Sequence, residues 1–197
     1  MNSTVEGGPE PYVTIGTQNW QRRNLDVSTY RNGDVIPYVK DNTTWANLTT
    51  GAWCWYNNDP ELGKIYGKLY NWYAVNDSRG LAPEGWHIPS DAEWIVLTNT
   101  LGGSAVAGGA LKQIGTSLWN SPNTGATNST NFTALPGGYR TDISGVFAFL
   151  NSLGEWWSSN EINASSGKGY TLYSSNSSLS PGTIGKKYGL SVRCIKD

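Results

Sequence analysis

The sequence predicts an α+β domain, and three observations predict it. β-rich runs stand near both ends of the chain, helix signals stand in the middle, and long stretches rich in Asn, Ser, Thr and Gly connect them. The length of 197 residues suits one domain. Residues 1–11 are polar, carry Pro9 and Pro11, and read as an N-terminal tail, leaving 12–197 as the folded unit.

The elements follow in order. Tyr12-Val13-Thr14-Ile15-Gly16, then Asn19-Trp20 through Leu25, predict a strand or hairpin around a glycine turn. Residues 26–62 alternate short β runs with Asn, Asp, Gly and Pro, which is loop chemistry. Over 63–75 the three-and-four spacing of Tyr66, Leu69, Tyr70 and Tyr73 predicts a short helix. The clearest helix start is Ser90-Asp91-Ala92-Glu93 after Pro89, where Ser90 and Glu93 have capping-box spacing. Trp94, Leu97 and Leu101 then share a face, and Gly102-Gly103 ends the helix. A further short helix over 105–114 is weakened by Gly108-Gly109. After Trp119 irregular strands and long loops are expected, closing with a strand over 189–195. The prediction is thus two central helices and one compact sheet whose terminal strands pair.

Composition excludes several classes. Charged residues are 15% of the chain, against about 25% in ordinary domains. A net charge of −1 gives no field to attract nucleic acid or an anionic membrane. The 10 Trp and 11 Tyr argue against disorder, and no apolar run approaches the ~20 residues needed to span a bilayer. Two Cys make no disulfide scaffold. Met1-Asn2-Ser3-Thr4-Val5-Glu6 has neither basic cluster nor apolar core and does not read as a secretory signal. A secreted chain whose signal was removed, a protein carried on a virion and a cytoplasmic protein all remain open.

Catalytic signals are sparse. The sole histidine, His87, lies in Gly85-Trp86-His87-Ile88-Pro89, a core or cap setting more than that of a base. There is no Gly-x-Ser-x-Gly elbow and no phosphate-binding glycine loop followed by Lys-Ser/Thr. One His and two distant Cys cannot build an ordinary zinc site. Asn57-Asn58-Asp59 with Glu61 could hold Ca²⁺ through oxygens, but the spacing departs from an EF-hand, and an Asx-rich turn entering a helix explains it better. No cofactor is therefore expected. Cys54 and Cys194 are either a disulfide or two inert buried thiols.

The aromatics carry the strongest signal. Trp20, Trp72, Trp86, Trp94 and Trp156 have apolar partners or helix spacing and read as core. Trp156-Trp157 in an extended run must point to opposite faces, which turns one of them away from the core. Around this pair, aromatics mix with small polar residues, the combination that binding surfaces use for rigid contact area and adaptable hydrogen bonds. The contact candidates are the aromatics Tyr139, Phe147, Phe149, Trp157, Tyr170 and Tyr173, with the polar residues Asp142, Asn151, Glu155 and Asn160. The scaffold is assigned to Trp72, Trp86, Trp94, Leu97, Leu135, Trp156 and Val192.

Five strings carry a family resemblance. They are Gly63-Lys64-Ile65-Tyr66-Gly67-Lys68-Leu69-Tyr70-Asn71-Trp72-Tyr73-Ala74-Val75, Gly85 through Trp94, Ala134-Leu135-Pro136-Gly137-Gly138-Tyr139-Arg140, Trp156-Trp157-Ser158-Ser159 and Gly189 through Cys194. In this order, from about Val13 to the end, the chain resembles the Fibrobacter succinogenes major paralogous domain. Ala82 stands where that family usually has a Cys, so any disulfide at that position is absent. The domain is similar to the formylglycine-generating-enzyme branch of the C-type lectin-like fold. The resemblance implies an α+β fold with a small twisted antiparallel sheet, two helices and long loops. Enzymes of that branch need two neighbouring Cys near the C-terminus. Cys194 has no near neighbour in sequence, so the enzymatic role does not carry over. The same branch includes the variable proteins of diversity-generating retroelements, which vary C-terminal ligand-facing residues on a fixed scaffold.

The expected function is ligand binding, not catalysis, through a C-terminal aromatic and polar surface over about 139–176, on a virion, at a cell surface or otherwise outside the cell. The expected partner is a cell-surface protein or glycan, with no nucleic acid and no membrane insertion. The alternatives are a structural or assembly module of a surface layer or virion and, behind it, an oxidase of the formylglycine-generating type.

Overall fold

The computed structural model describes residues 12–197, so the tail predicted over 1–11 lies outside the described residues. Strands β1 (Tyr12–Ile15) and β2 (Gln18–Gln21) form the predicted hairpin, turning at Gly16. A long polar connection holds α1 (Asn42–Ala46), capped by Asp41, and leads to β3 (Trp53–Cys54). The helix predicted over 63–75 is instead three elements: α2 (Pro60–Tyr66), β4 (Leu69–Tyr70) and α3 (Trp72–Val75). The break falls at Gly67, where φ is +77° and a Cβ would lie 3.0 Å from the Leu25 carbonyl oxygen. The helical spacing of the tyrosines is produced by two short helices flanking a strand.

After β5 (Trp86–His87), helix α4 (Asp91–Thr100) starts at the predicted capping box. Glu93 N donates to Ser90 Oγ at 3.3 Å and Ser90 N donates to Glu93 Oε2 at 2.7 Å. It ends before Gly102 and Gly103, both with positive φ. Helix α5 (Ala107–Leu111) is shorter than the predicted 105–114, and its glycines serve packing. A Cβ on Gly108 would lie 2.5 Å from the Ser178 carbonyl oxygen. There are therefore five short helices among the described residues rather than two.

The last third is more regular than its composition predicted. It contains β6 (Tyr139–Arg140), β7 (Phe147–Ala148), β8 (Leu153–Asn163), β9 (Ser166–Tyr173), β10 (Leu179–Gly185) and β11 (Ile195–Lys196). The run 189–195 is a strand only at its end. Gly189, Leu190 and Ser191 instead make single bridges to Arg140, Tyr70 and Trp156. The sheets are small and antiparallel: β1-β2-β11-β5, β10-β9-β8, and the pairs β3-β4 and β6-β7. The terminal strands meet, as predicted, where Ile195 faces Trp20.

Trp156 and Trp157 do point to opposite faces of β8, but both faces are covered and both rings are 0% exposed. Trp156 shares a core with Trp20, Trp94 and Tyr170, and Trp157 shares another with Tyr70, Trp72 and Val192. A third core gathers around Trp45, Cys54 and Tyr56. Cys54 and Cys194 are buried thiols in different cores, and no disulfide joins them. Of the assigned scaffold, all but half-buried Leu135 are buried.

Loops without ladders must satisfy their carbonyls elsewhere. Three fully buried cations do so. Lys112 Nζ donates to the carbonyls of Thr124, Tyr173 and Asn176 at 2.8–3.0 Å. Arg140 reaches the carbonyls of Val39, Lys40 and Gly145 and lies 4.5 Å over the Trp45 ring. Arg193 reaches the carbonyls of Gln21 and Phe132 and the Asn24 amide oxygen. No carboxylate pairs with any of the three among the described residues. No helix of the described residues is long and apolar enough to cross a membrane.

Candidate functional site

The site begins with a tight approach between β6 and β7. Gly138 has φ +61°, and a Cβ there would lie 2.5 Å from the Ala148 carbonyl oxygen and 2.8 Å from Leu150 N. Only glycine permits that contact. Beyond β7 the chain reverses through Phe149 (φ +63°) and Asn151 (φ +65°). The turn is held by Asn151 N donating to the Pro136 carbonyl at 3.0 Å and Leu153 N donating to the Phe149 carbonyl at 3.1 Å. A phenylalanine in left-handed backbone is strained, and such strain concentrates at functional positions.

From this turn β8 enters the three-stranded sheet. Leu153 faces Tyr173 and Glu155 faces Thr171 on β9. Strand alternation therefore puts Leu153, Glu155 and Tyr173 on one face, continuous with Trp157 further along. Trp157 is covered by the core, whereas the other three open into a cavity of about 430 Å³. The end of β10, Tyr188, Tyr139 and Phe149 complete its lining. Tyr139 lies 5.5 Å from Phe149 and 5.5 Å from Tyr188, edge-on to the latter.

Glu155 is 9% exposed and has no ion-pair partner among the described residues. Its one side-chain hydrogen bond comes from Thr171 Oγ1 to Oε1 at 2.8 Å. Burial pushes its carboxyl up to about 7, against the smaller opposing effect of that bond. Its charge in turn helps burial to raise the phenols of Tyr139, Tyr173 and Tyr188. No lysine, arginine or histidine lines the cavity. A cleft of about 600 Å³ elsewhere, with Arg22, Arg23 and Lys64, is larger. It holds none of the predicted contacts and no buried ionisable side chain, so the smaller cavity is the better candidate.

The structure brings together Tyr139, Phe149, Glu155 and Tyr173, with half-buried Asp142 beside Gly185 at the rim. The other candidates lie outside this cavity, and Trp157 and Tyr170 are corrected to core residues. Trp157 is fully buried and donates from Nε1 to the Tyr70 carbonyl at 2.8 Å. Tyr170 is 3% exposed, stacks on Trp94 and donates to Asp91 Oδ1 at 2.6 Å, with only an edge in a separate 200 Å³ cleft. Phe147 packs inward, 5.2 Å from Tyr56 and beneath Arg140. Asn151 accepts from Tyr66 Oη at 2.9 Å and serves the turn. Asn160 is exposed but accepts from Asp91 N at 2.6 Å, at the start of α4.

Tyr188, Ile184 and Thr183 were not among the predicted contacts. Strand register was the missing signal, because the alternation of Leu153, Glu155 and Trp157 becomes informative only once β9 and β10 are paired. Elsewhere, Asp59 Oδ1 accepts from Glu61 N and caps α2, the Asx turn foreseen for the 57–61 loop. No group of three or more His, Cys, Asp or Glu among the described residues could hold a metal. His87 joins Glu93 at 2.8 Å and Asp197 at 2.7 Å, tying the α4 cap to the chain end.

Comparison with curated proteins finds no match, and comparison with solved structures finds none. The motif strings supply core residues such as Tyr70, Trp72, Trp86, Trp94 and Val192, residues 63–65 and 67 line the larger cleft, and of the smaller cavity's lining only Tyr139 belongs to a string that carried the resemblance. The family model of the Fibrobacter succinogenes major domain matches residues 13–196, and the chain belongs to that family.

Proposed function

We propose that this domain is a ligand-binding module, not an enzyme, and that the cavity between Tyr139, Phe149, Tyr173 and Tyr188 is its binding site. The observation that carries the reading is the convergence of four aromatic rings on a buried carboxyl with no charged partner among the described residues. A non-catalytic role is supported by the thiols: burial pushes Cys54 up to about 12, which keeps it from acting as a thiolate nucleophile. The partner in this reading is a protein or glycan on a cell surface, met outside the cell or from a virion. The fold in this reading is the C-type lectin-like one, of the branch that includes retroelement-diversified proteins. The small antiparallel sheets, short helices and loop-built site are compatible with it.

The test is binding to arrayed surface glycans and to intact cells, comparing the unaltered chain with Tyr173→Ala and, as control, Arg22→Ala in the other cleft. Binding should fall at least about tenfold for Tyr173→Ala and stay level for the control. Equal losses would refute this site. Exposed Ile143, Val146 and Phe149 favour a second reading, assembly through this face. A stable symmetric oligomer broken by Phe149→Ala would establish that one instead.

A further inference from the structure

We propose that the cavity takes an organic ammonium group, an alkylated amine of the ligand held against the aromatic rings with Glu155 as its counter-charge. The inference rests on the binding-site reading above and names the chemistry of that same site. Aromatic faces carry negative potential and attract cations, most strongly where water is excluded. Tyr139, Phe149, Tyr173 and Tyr188 supply four rings. Glu155 lines the same cavity, nine-tenths buried, with Oε2 making no hydrogen bond among the described residues. Asp142 adds a second carboxylate at the rim.

Other ligand classes fit less well. An anion would meet the Glu155 carboxyl and no cation. A metal ion needs several strong oxygen ligands, and no group of three or more His, Cys, Asp or Glu among the described residues could hold one. A neutral sugar hydroxyl could bond the Tyr and Thr hydroxyls of the lining but would leave the buried carboxylate without a counter-charge. An ammonium group would satisfy the buried carboxylate and reverse the desolvation that holds its proton.

The experiment is an NMR titration of the chain with choline, with its neutral isostere 3,3-dimethylbutan-1-ol, and with N-acetylglucosamine. Choline should bind at least about tenfold tighter than the isostere. Glu155→Gln should remove that preference, and at about pH 4.5, where the buried carboxyl of the unaltered chain is itself neutral, its thermal melt should lie near that of the unaltered chain. Choline affinity should rise several-fold from about pH 5.5 to about pH 8.5 as Glu155 ionises. The other ionisable groups facing it are the phenols of Tyr139, Tyr173 and Tyr188, which burial keeps protonated over this range; the carboxyl of Asp142 lies beside Gly185, further out.

Equal affinity for choline and isostere, or a flat pH profile, overturns the charge assignment and leaves the pocket standing. Binding of the sugar without choline does the same. Choline shifts confined to residues outside the cavity overturn the inference as well. The binding-site reading fails separately, if Tyr173→Ala leaves cell and glycan binding unchanged.

Discussion

Replacing Phe149 by glycine should leave the fold about as stable as before, whereas replacing it by alanine should weaken it. Phe149 has φ +63°, and an L-residue in that region costs roughly 1–2 kcal/mol. Its side chain is 56% exposed, so a little under half of the ~1.5–3 kcal/mol available from burying a phenylalanine is realised, about 1 kcal/mol. Alanine loses that burial and keeps the strain, a net cost of about 1 kcal/mol. Glycine loses the same burial and a further ~0.5–1 kcal/mol of chain entropy, but recovers the strain, so its net change is near zero. Urea unfolding measures both. In thermal melts, alanine should fall about 2–4 °C below glycine at this chain length. Both should lose binding, since both remove the ring that faces Tyr139. An alanine variant as stable as the glycine variant would refute the strain, and with it the argument that this turn is shaped for the site.

Glu155 makes stability depend on pH with a definite sign. Its carboxyl is raised from 4.5 to about 7, so between those values the folded chain keeps a proton that the unfolded chain has released. Stability should therefore fall as pH rises from about 4.5 to about 7, by roughly 3 kcal/mol in all, and Glu155→Gln should flatten that slope in pH-dependent urea titrations. Burial alone would lower His87, but its bonds to Glu93 and Asp197 outweigh burial and raise it. Its contribution should be complete below about 6.5 and fade as pH rises through the folded value, and His87→Gln should remove that fade. Arg193→Met should cost at least about 3 kcal/mol, because it takes the guanidinium donor from the carbonyls of Gln21 and Phe132 and leaves the Asn24 amide oxygen with Trp156 Nε1 alone. Exposed Arg23→Met should stay within about 0.5 kcal/mol in the same melts.

Local chemistry was legible where the physics is local. The Ser90–Glu93 box, the Gly16 turn and the Gly102-Gly103 stop are set by residues a few positions apart. The alternation of Trp156 and Trp157 was also legible, but not that both faces of β8 are covered, since the second cover comes from residues far away in sequence. Tyr139, Phe149, Glu155 and Tyr173 were grouped by residue type, and the structure brings them to one cavity. Phe147 was grouped with them on the same ground, but it packs against Tyr56 while Phe149 lines the cavity beside Tyr139. Tyr188 was missed because Lys186-Lys187-Tyr188 reads only as a polar lead into the last strand.

The division of labour between neighbours explains how such a site can sit on so little regular structure. On β6, Tyr139 faces the cavity while the adjacent Arg140 reaches three backbone carbonyls and the Asn42 amide oxygen. At the end of β9, Lys112 holds the backbone carbonyl of Tyr173, a bond indifferent to which side chain residue 173 carries. The buried cations thus fix the loops through main-chain atoms and leave the ring-bearing positions without that duty. Side chains at 149 and 173, both more than a third exposed, can change with small cost to the fold, whereas Tyr139 and Tyr188 also pack against the core around Trp157. Glu155 is bound more tightly still. Nine-tenths buried against Thr171, it couples the cavity to the sheet, so variation at that position changes the charge of the site and the stability of the fold together.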